Sequence, residues 1–334
     1  MTAVDRRGTG LGLRMRDSRI VRVAAGNLWT AAPVLAERAR PSGGPDGEPW
    51  RLMFEDRAVG EVSLSGTLHR RDPRVLVILV HGLGGCGDSL YIRRAARAAL
   101  DLGVSVLRLS QRGAERDGRD FYHGGLTSDL KRALTAPELA EFDDVVVLGF
   151  SLGGHQALRW ATEAGDPRLR AVAAVCSPLD FETSQRDFDR PVRAIYRRYV
   201  LSALRDIYLA VAARRPVPVA PEQVVASRTL REWDRLCVVP RFGFSSVGDY
   251  YARASVAPRL HRLRVPALLV AARHDPMITE RAVRLGLRSA HPELRVVWSD
   301  RGGHVGFPPD VDFGLGGPPG RDPQVLHWLL SHLG

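Results

Sequence analysis

Apolar runs and amphipathic segments alternate along the middle of the chain. The runs are mostly apolar, which is typical of strands buried on both faces of a sheet, and they span residues 74–80, 104–109, 144–149 and 171–176. Between them, the apolar spacing of amphipathic helices occurs at residues 90–100, 126–139 and 152–164. Strands that alternate with helices in this way predict an α/β fold with a mostly parallel sheet and helices on both faces.

The alternation stops after residue 180 and resumes near residue 265. Residues 181–255 contain no strong strand pattern, but they hold a helical pattern over 192–211 and a proline-rich stretch at 216–221. The resumed pattern consists of strands and helices at 265–271, from Thr279, at 294–298 and near 323–332. Because the insertion separates two strands, we expect a helical cap over the carboxyl edge of the sheet, where open α/β sheets bind ligands.

The start of the chain is rich in loop signals. Proline and glycine cluster at 41–45, and two short strands are predicted at 51–54 and 61–64 around a turn at Gly60. We therefore expect three parts: an N-terminal extension at 1–50 packed on the core, an α/β core at 51–180 and 256–334, and a helical cap at 181–255.

The charge of the chain affects which partners are plausible. The 334 residues carry a formal net charge of +11, which in general favours acidic partners. However, the basic residues alternate with acids, as at 112–117, and Lys131 is the only lysine among many arginines. No basic run typical of nucleic-acid tails is present, so no nucleic-acid partner is expected. An ordinary solvated surface is favoured, with peripheral contact to an anionic membrane surface as the alternative.

The composition is that of a globular protein. Hydrophobic residues make up 45% and charged residues 25% of the chain, which is ordinary for a folded domain. Cys86, Cys176 and Cys237 form no CxxC or zinc pattern, so free thiols in a reducing compartment are expected. No apolar stretch reaches the about 18 residues that suggest a membrane span, and no apolar run follows the N-terminal arginines. These features predict a cytoplasmic protein without metal, cofactor or transmembrane segment.

Gly149, Ser151 and Gly153 form a Gly-x-Ser-x-Gly pattern. Alone, this pattern arises readily by chance and also occurs in structural turns. Here it lies between a buried strand and a helix, which is the setting of a nucleophile elbow. In such an elbow, small residues let the chain turn sharply and leave the serine Oγ exposed. We therefore predict that Ser151 is a catalytic nucleophile.

A serine nucleophile needs a base and an acid that orients the base. In α/β hydrolases, the acid and then the histidine follow the serine along the chain. Of the ten histidines, His304 lies in a glycine-rich loop after the last predicted strand, and we predict that it is the base. A structural role is expected for four other histidines, His81, His155, His327 and His332.

Two aspartates are candidates for the acid. Asp275 follows the strand predicted at 265–271, and Asp180 follows the strand at 171–176. Because both stand at carboxyl ends of strands, both can face the site. Asp275 has the usual placement and is preferred, while Asp180 is expected to cap or orient the start of the insertion.

An acyl-transfer site also needs two backbone N–H groups for the oxyanion. We predict that they belong to Leu152, which follows the nucleophile, and to Leu83 in the glycine-rich loop 81–85. The alternative is a phosphate-binding loop, but that loop contains neither a GxxxxGK[ST] nor a GxGxxG pattern.

Several segments together resemble the YheT-like α/β hydrolases, a group that includes the animal abhydrolase-domain esterases and lipases. The matching segments are 81–85 (HGLGG), 112–113 with 122–129 (RG and YHGGLTSD), 150–154 (FSLGG), 177–180 (SPLD), 229–234 with 248–251, and 302–307 (GGHVGF). The resemblance covers roughly residues 25–310. It implies hydrolysis of carboxylic esters, with Ser151, Asp275 and His304 in the triad positions.

The chain departs from the family pattern at three places. His274 stands where the family usually has a first acid before the proline, which leaves Asp275 as the acid there. Leu28-Trp29-Thr30 stands where the family tends to have Leu-Gln-Thr, and His155 replaces a common asparagine. The first and last of these departures can tune the site without removing any predicted catalytic group.

The predicted activity is a two-step acyl transfer from an ester to Ser151 and then to water. The resemblance favours a lipid or acylglycerol substrate, and the cap offers aromatic residues, including Tyr196, Tyr199, Tyr208 and Trp233, although packing is the expected role of most. Two alternatives are an acyltransferase on the same fold and a non-catalytic binding protein that keeps the fold. The sequence indicates no oligomeric state.

Overall fold

An eight-stranded sheet forms the centre of the computed structural model, which describes residues 19–40, 42–163 and 165–333. The strands are β1 Glu48–Asp56, β2 Gly60–His69, β3 Val75–Val80, β4 Ser105–Ser110, β5 Asp144–Phe150, β6 Leu169–Val175, β7 Ala267–Ala272 and β8 Arg295–Ser299. Their spatial order is β1-β2-β4-β3-β5-β6-β7-β8. β2 pairs antiparallel with β1 and β4, and every other pair is parallel. The predicted fold class, a mostly parallel α/β sheet, is confirmed.

Helices cover both faces of the sheet. The α-helices are α1 Arg19–Ala39, α2 Leu90–Asp101, α3 Ser128–Ala133, α4 Leu152–Ala161, α5 Phe181–Phe188, α6 Ala194–Ala212, α7 Pro221–Ala226, α8 Leu230–Trp233, α9 Val239–Phe242, α10 Val247–Ala254, α11 Glu280–Gly286 and α12 Arg321–Leu330. Buried apolar side chains of α3, α4 and α11 contribute to one apolar cluster, and those of α2 and α12 contribute to another on the opposite face.

The burial of β3 on both faces explains why its sequence is continuously apolar. All six of its residues are buried. Leu76, Ile78 and Val80 enter one apolar cluster, whereas the alternate residues of the strand enter the other. Because successive side chains of a strand point to opposite faces, a strand covered on both faces has no polar positions.

The helix predicted over 126–139 is shorter than expected. The α-helix ends at Ala133, and a 3-10 turn covers Pro137–Leu139. Ala136 has the extended conformation (φ −65°, ψ 133°) that proline imposes on its preceding residue. The proline therefore divides the amphipathic pattern into two pieces.

The N-terminal region differs most from the prediction. Its described part contains the 21-residue helix α1, where a loop-rich extension was expected. Gly26 and Pro33 lie inside this helix and disfavour it by local propensity. Residues 1–18 and 41, which belong to the predicted extension, lie outside the described residues.

The chain between β6 and β7 is helical and packs against the segments that follow β4 and β5. Its buried side chains join those of Phe121, Tyr122 and Leu152 from the core in a third apolar cluster. Charged side chains also connect the two regions, because Arg241 of α9 pairs with Asp56 and Asp120. This helical region therefore packs directly over the segment that contains Ser151.

Candidate active site

Ser151 lies on a sharp turn between β5 and α4. Its backbone has φ 51° and ψ −117°, in a region that costs a non-glycine residue about 1–3 kcal/mol. The Ser151 N–H donates to Val175 O at 2.8 Å, which ties the turn to the end of β6. A Cβ on Gly149 would overlap the Gly153 carbonyl, and a Cβ on Gly153 would overlap the Val80 carbonyl. The glycines of the pattern are therefore required by close backbone contact.

Asp275 and His304 form a buried hydrogen-bonded pair. Asp275 Oδ2 lies 2.9 Å from His304 Nδ1, and the residues are only 6% and 8% exposed. Asp275 Oδ1 accepts the N–H groups of Met277 at 2.7 Å and Ile278 at 2.9 Å. Because the backbone occupies Oδ1, the carboxylate presents Oδ2 to the imidazole. An ionised carboxylate is an acceptor, so Nδ1 donates and Nε2 is left as the basic nitrogen.

The strand order brings these residues to one edge of the sheet. Ser151 follows β5, Cys176 follows β6 and Asp275 follows β7, while His304 lies in the loop after β8. Cys176 Sγ lies 3.4 Å from Gly303 O, beside His304. Within the described part of the chain, the Ser151 hydroxyl makes no hydrogen bond to His304 or any other residue. Hydrogen bonds between a catalytic serine and histidine often tighten only when substrate binds.

Asp180, the other acid candidate, has a different position. Its side chain accepts the Thr183 N–H at 2.8 Å and caps the N-terminus of α5. The expectation that Asp180 caps the start of the insertion is confirmed, and it is Asp275 that contacts the histidine.

The loop 81–85 lies directly beside the serine. A Cβ on Gly82 would lie 3.1 Å from Ser151 Cβ. The Gly82 N–H donates to Tyr91 Oη at 3.0 Å and the Gly84 N–H to Tyr122 Oη at 2.7 Å. Neither the Leu83 N–H nor the Leu152 N–H has an acceptor among residues 19–40, 42–163 and 165–333. Both N–H groups are therefore free to donate to another acceptor.

Tyr91 and Tyr122 were not identified from sequence as site residues. Burial raises the pKa of Tyr91 to about 12 and also raises that of Tyr122, so both remain hydroxyls at neutral pH. Tyr122 also donates to Gly82 O at 3.2 Å. The position of Tyr122 in the family-like segment 122–129 is a sequence signal for its role in the site. No sequence pattern connects Tyr91 to the loop 81–85.

The other histidines near the site have structural contacts. His81 Nε2 accepts the Gln111 N–H at 3.1 Å, so its Nδ1 donates to Gly82 O at 2.8 Å. His155 is stacked on Phe181 with ring centres 4.2 Å apart. Burial lowers the pKa of both histidines to about 4.

The predicted cap aromatics have different surroundings. Tyr208 and Trp233 are buried, and their ring centres are 5.9 Å apart. Tyr196 is half-buried and donates to Asn27 Oδ1 at 2.5 Å, whereas Tyr199 is exposed. Side chains packed in or against the apolar cluster beside the elbow include Leu83, Leu126, Leu152, Phe181 and Met277. The surroundings of Ser151 on this side are therefore apolar.

The described residues contain no group of three or more histidine, cysteine, aspartate or glutamate side chains arranged for a metal ion. None of the described helices combines the length and the apolar character that crossing a bilayer requires.

Comparisons with known proteins agree with this architecture. The sequence model of the alpha/beta hydrolase family matches residues 77–312. YheT of Escherichia coli is 29% identical over 265 residues, which are 77% of each chain. Human phospholipase ABHD3 is 24% identical over 249 residues, which are 70% of this chain and 59% of the relative.

Two further similarities bear on activity and fold. The medium-chain fatty acid ethyl ester synthase/esterase 2 of Saccharomyces cerevisiae is 24% identical over 296 residues, which are 80% of this chain and 64% of the relative. The structure of a Pyrococcus furiosus esterase superposes with a TM-score of 0.50 at 16% identity, covering 80% of this chain and 88% of that one. At this identity, the structural similarity concerns the fold alone.

Proposed function

The chain belongs to the alpha/beta hydrolase family as a YheT-like member, and we propose that it is a serine hydrolase of carboxylic esters. The observation that carries the proposal is the buried Asp275–His304 pair at the same sheet edge as the strained Ser151 turn. Relatives with esterase and phospholipase in their names support hydrolysis of esters in general.

The chemistry assigns one role to each group. His304 Nε2 takes the proton of Ser151 Oγ while Oγ attacks the ester carbonyl carbon. The carbonyl oxygen becomes an oxyanion, which the Leu83 and Leu152 N–H groups stabilise. When the tetrahedral intermediate collapses, the C–O bond to the alcohol breaks, and the imidazolium gives its proton to the leaving oxygen. Asp275 keeps the proton on Nδ1 and stabilises the transient imidazolium.

The second step releases the acid. A water molecule gives a proton to His304 Nε2 and attacks the acyl-serine through the same oxyanion site. The bond from the acyl carbon to Ser151 Oγ then breaks, and the proton returns to Oγ. The cycle consumes one water and produces one acid and one alcohol.

We propose an acyl ester with an apolar chain as the substrate. Support comes from the apolar cluster on the cap side of Ser151, which includes Leu152, Phe181 and Phe188 and has Leu83 and Met277 packed against it. Burial of each methylene of an acyl chain contributes about 0.8 kcal/mol, so this environment favours longer chains over acetyl esters.

Labelling with a fluorophosphonate probe tests the nucleophile. The wild type is expected to form a covalent adduct at Ser151, because an activated serine attacks phosphorus as it attacks a carbonyl carbon. The Ser151→Ala variant is expected to show no adduct by intact mass and peptide mapping. Ser202→Ala, which removes an exposed serine of α6, serves as the control and should label like the wild type. Undiminished labelling of Ser151→Ala would contradict the proposal.

Acyl transfer to an alcohol is the second candidate activity. It is favoured by one observation, the yeast relative whose name contains both ester synthase and esterase. We expect free acid to be the main product from a medium-chain p-nitrophenyl ester in water, and product analysis with and without added ethanol measures the partition. Ethyl ester as the dominant product at low ethanol concentration would identify a transferase instead.

A further inference from the structure

Helix α1 packs against both loops that carry the Asp275–His304 pair. A Cβ on Gly26 would overlap the carbonyl oxygen of His274, next to Asp275. A Cβ on Gly303 would overlap the carbonyl of Gly26, and one on Gly306 would overlap the carbonyl of Trp29. Glycine at these positions therefore allows the helix backbone to touch the backbone of the acid and histidine loops.

Thr30 connects this helix directly to His304. The His304 N–H donates to Thr30 Oγ1 at 2.7 Å, and the Thr30 hydroxyl donates to Gly26 O at 2.8 Å. Because the hydroxyl proton is used within the helix, an oxygen lone pair is directed at the His304 amide. The two residues are 274 positions apart in sequence, so this contact exists only in the folded chain.

The backbone next to His304 needs such support. Val305 has φ 51°, and a β-branched residue in this left-handed region is disfavoured. Arg321 donates to Val305 O, and Thr30 accepts from the His304 N–H. Within the turn, the Gly303 N–H donates to Gly306 O at 2.8 Å. Without the Thr30 hydroxyl, the His304 N–H would lose this acceptor, and the turn would lose one of its supports.

Helix α1 is itself held by contacts away from the histidine. Asn27 accepts a hydrogen bond from Tyr196 of α6, and Glu37 pairs with Arg93 of α2. A change at Thr30 that removes only the hydroxyl should therefore leave the helix in place. This makes the contribution of the hydroxyl separable from that of the helix.

We propose that Thr30 is a positioning residue for His304, through which helix α1 sets the direction of the imidazole relative to Ser151. The proposal rests on the proposed function. Thr30 does not touch the reacting atoms; it acts through the His304 backbone. Small displacements of catalytic groups lower rates strongly while they barely change substrate binding.

The test compares Thr30→Val, which replaces the hydroxyl by a methyl group, with Thr30→Ser, which keeps it. For a p-nitrophenyl ester, Thr30→Val is expected to lower kcat by about 10- to 100-fold with KM within about twofold. The rate of fluorophosphonate labelling per folded molecule should fall in parallel. Thr30→Ser should restore most of kcat.

Thr162→Val is the matched control, because the Thr162 hydroxyl, at the C-cap of α4, also donates to a helix carbonyl, Arg159 O at 2.7 Å, but contacts neither the acid loop nor the histidine loop. It should keep the wild-type kcat. If Thr30→Val does not fold, Thr30→Ala with the same readouts takes its place. A wild-type kcat in folded Thr30→Val, with Ser151→Ala inactive, would overturn the positioning role alone. Activity retained by Ser151→Ala would instead overturn the proposed function.

Discussion

An Asp275→Asn variant is expected to lose about 10⁴-fold in kcat for ester hydrolysis, with KM little changed. The backbone around Asp275 explains why so small a change has so large an effect. The Met277 and Ile278 N–H groups donate to Oδ1, so an asparagine will place its carbonyl oxygen there. Its NH₂ group then faces His304 Nδ1, which must become an acceptor. The proton moves to Nε2, and the imidazole can no longer accept the proton of Ser151.

Asp180→Asn is the matched control for this prediction. Asn is as good an N-cap as Asp, so the contact with Thr183 N and helix α5 should persist. Steady-state kinetics with one p-nitrophenyl ester, together with the fluorophosphonate labelling rate, compares the two variants. If Asp180→Asn lost activity and Asp275→Asn kept it, the assignment of the acid would be wrong.

Arg112→Met is expected to lower the free energy of unfolding by about 3–5 kcal/mol, because it leaves the buried Asp129 carboxylate without its cation. Arg112 donates to Asp129 at 2.6 and 2.5 Å, to Asp120 at 2.8 Å and to Asp56 at 2.9 Å. The side chains of Arg112, Asp120 and Asp129 are almost fully buried. Burial opposes the charge of Arg112, but its hydrogen bonds with Asp129 and Asp120 outweigh this effect and raise its pKa.

Urea denaturation followed by tryptophan fluorescence measures this loss of stability. Arg186→Met removes an exposed arginine that pairs with Glu182 in the cap, and exposed pairs contribute only about 0–1 kcal/mol. The free energy of unfolding of Arg186→Met should therefore be close to that of the wild type. An equal loss in both variants would show that the buried network is not the source of the stability.

The network also connects the sheet to the cap. Arg241 of α9 donates to Asp120 at 2.8 and 2.6 Å, and Asp120 is shared with Arg112. The three carboxylates and two guanidinium groups therefore join β1, the loop after β4, helix α3 and the cap. Of these residues, the sequence singled out only Arg112 and Asp129, as parts of a family-like segment, and it indicated no partner for either.

Helix α1 could not be predicted from the apolar pattern of its sequence. Its propensity is weakened by Gly26 and Pro33, and its apolar side chains Val21, Leu28 and Leu35 are exposed. Amphipathic spacing predicts a helix only when its apolar face packs on the core. Helix α1 instead packs through backbone contacts, so its spacing gave no signal. The same helix provides Thr30, whose role depends on a loop near the other end of the chain.

The strands, the Ser151 turn and the histidine loop were predictable from sequence, because each leaves a recognisable residue pattern within a short segment. Continuous apolar runs suit only strands covered on both faces, and the glycines of the elbow are required by overlaps that any Cβ would create. The folded structure was needed to show which aspartate contacts His304, which N–H groups of the loop 81–85 are free and what holds the His304 backbone. Those features are hydrogen-bond choices among groups far apart in sequence, and the packing of distant segments determines which partner each group meets.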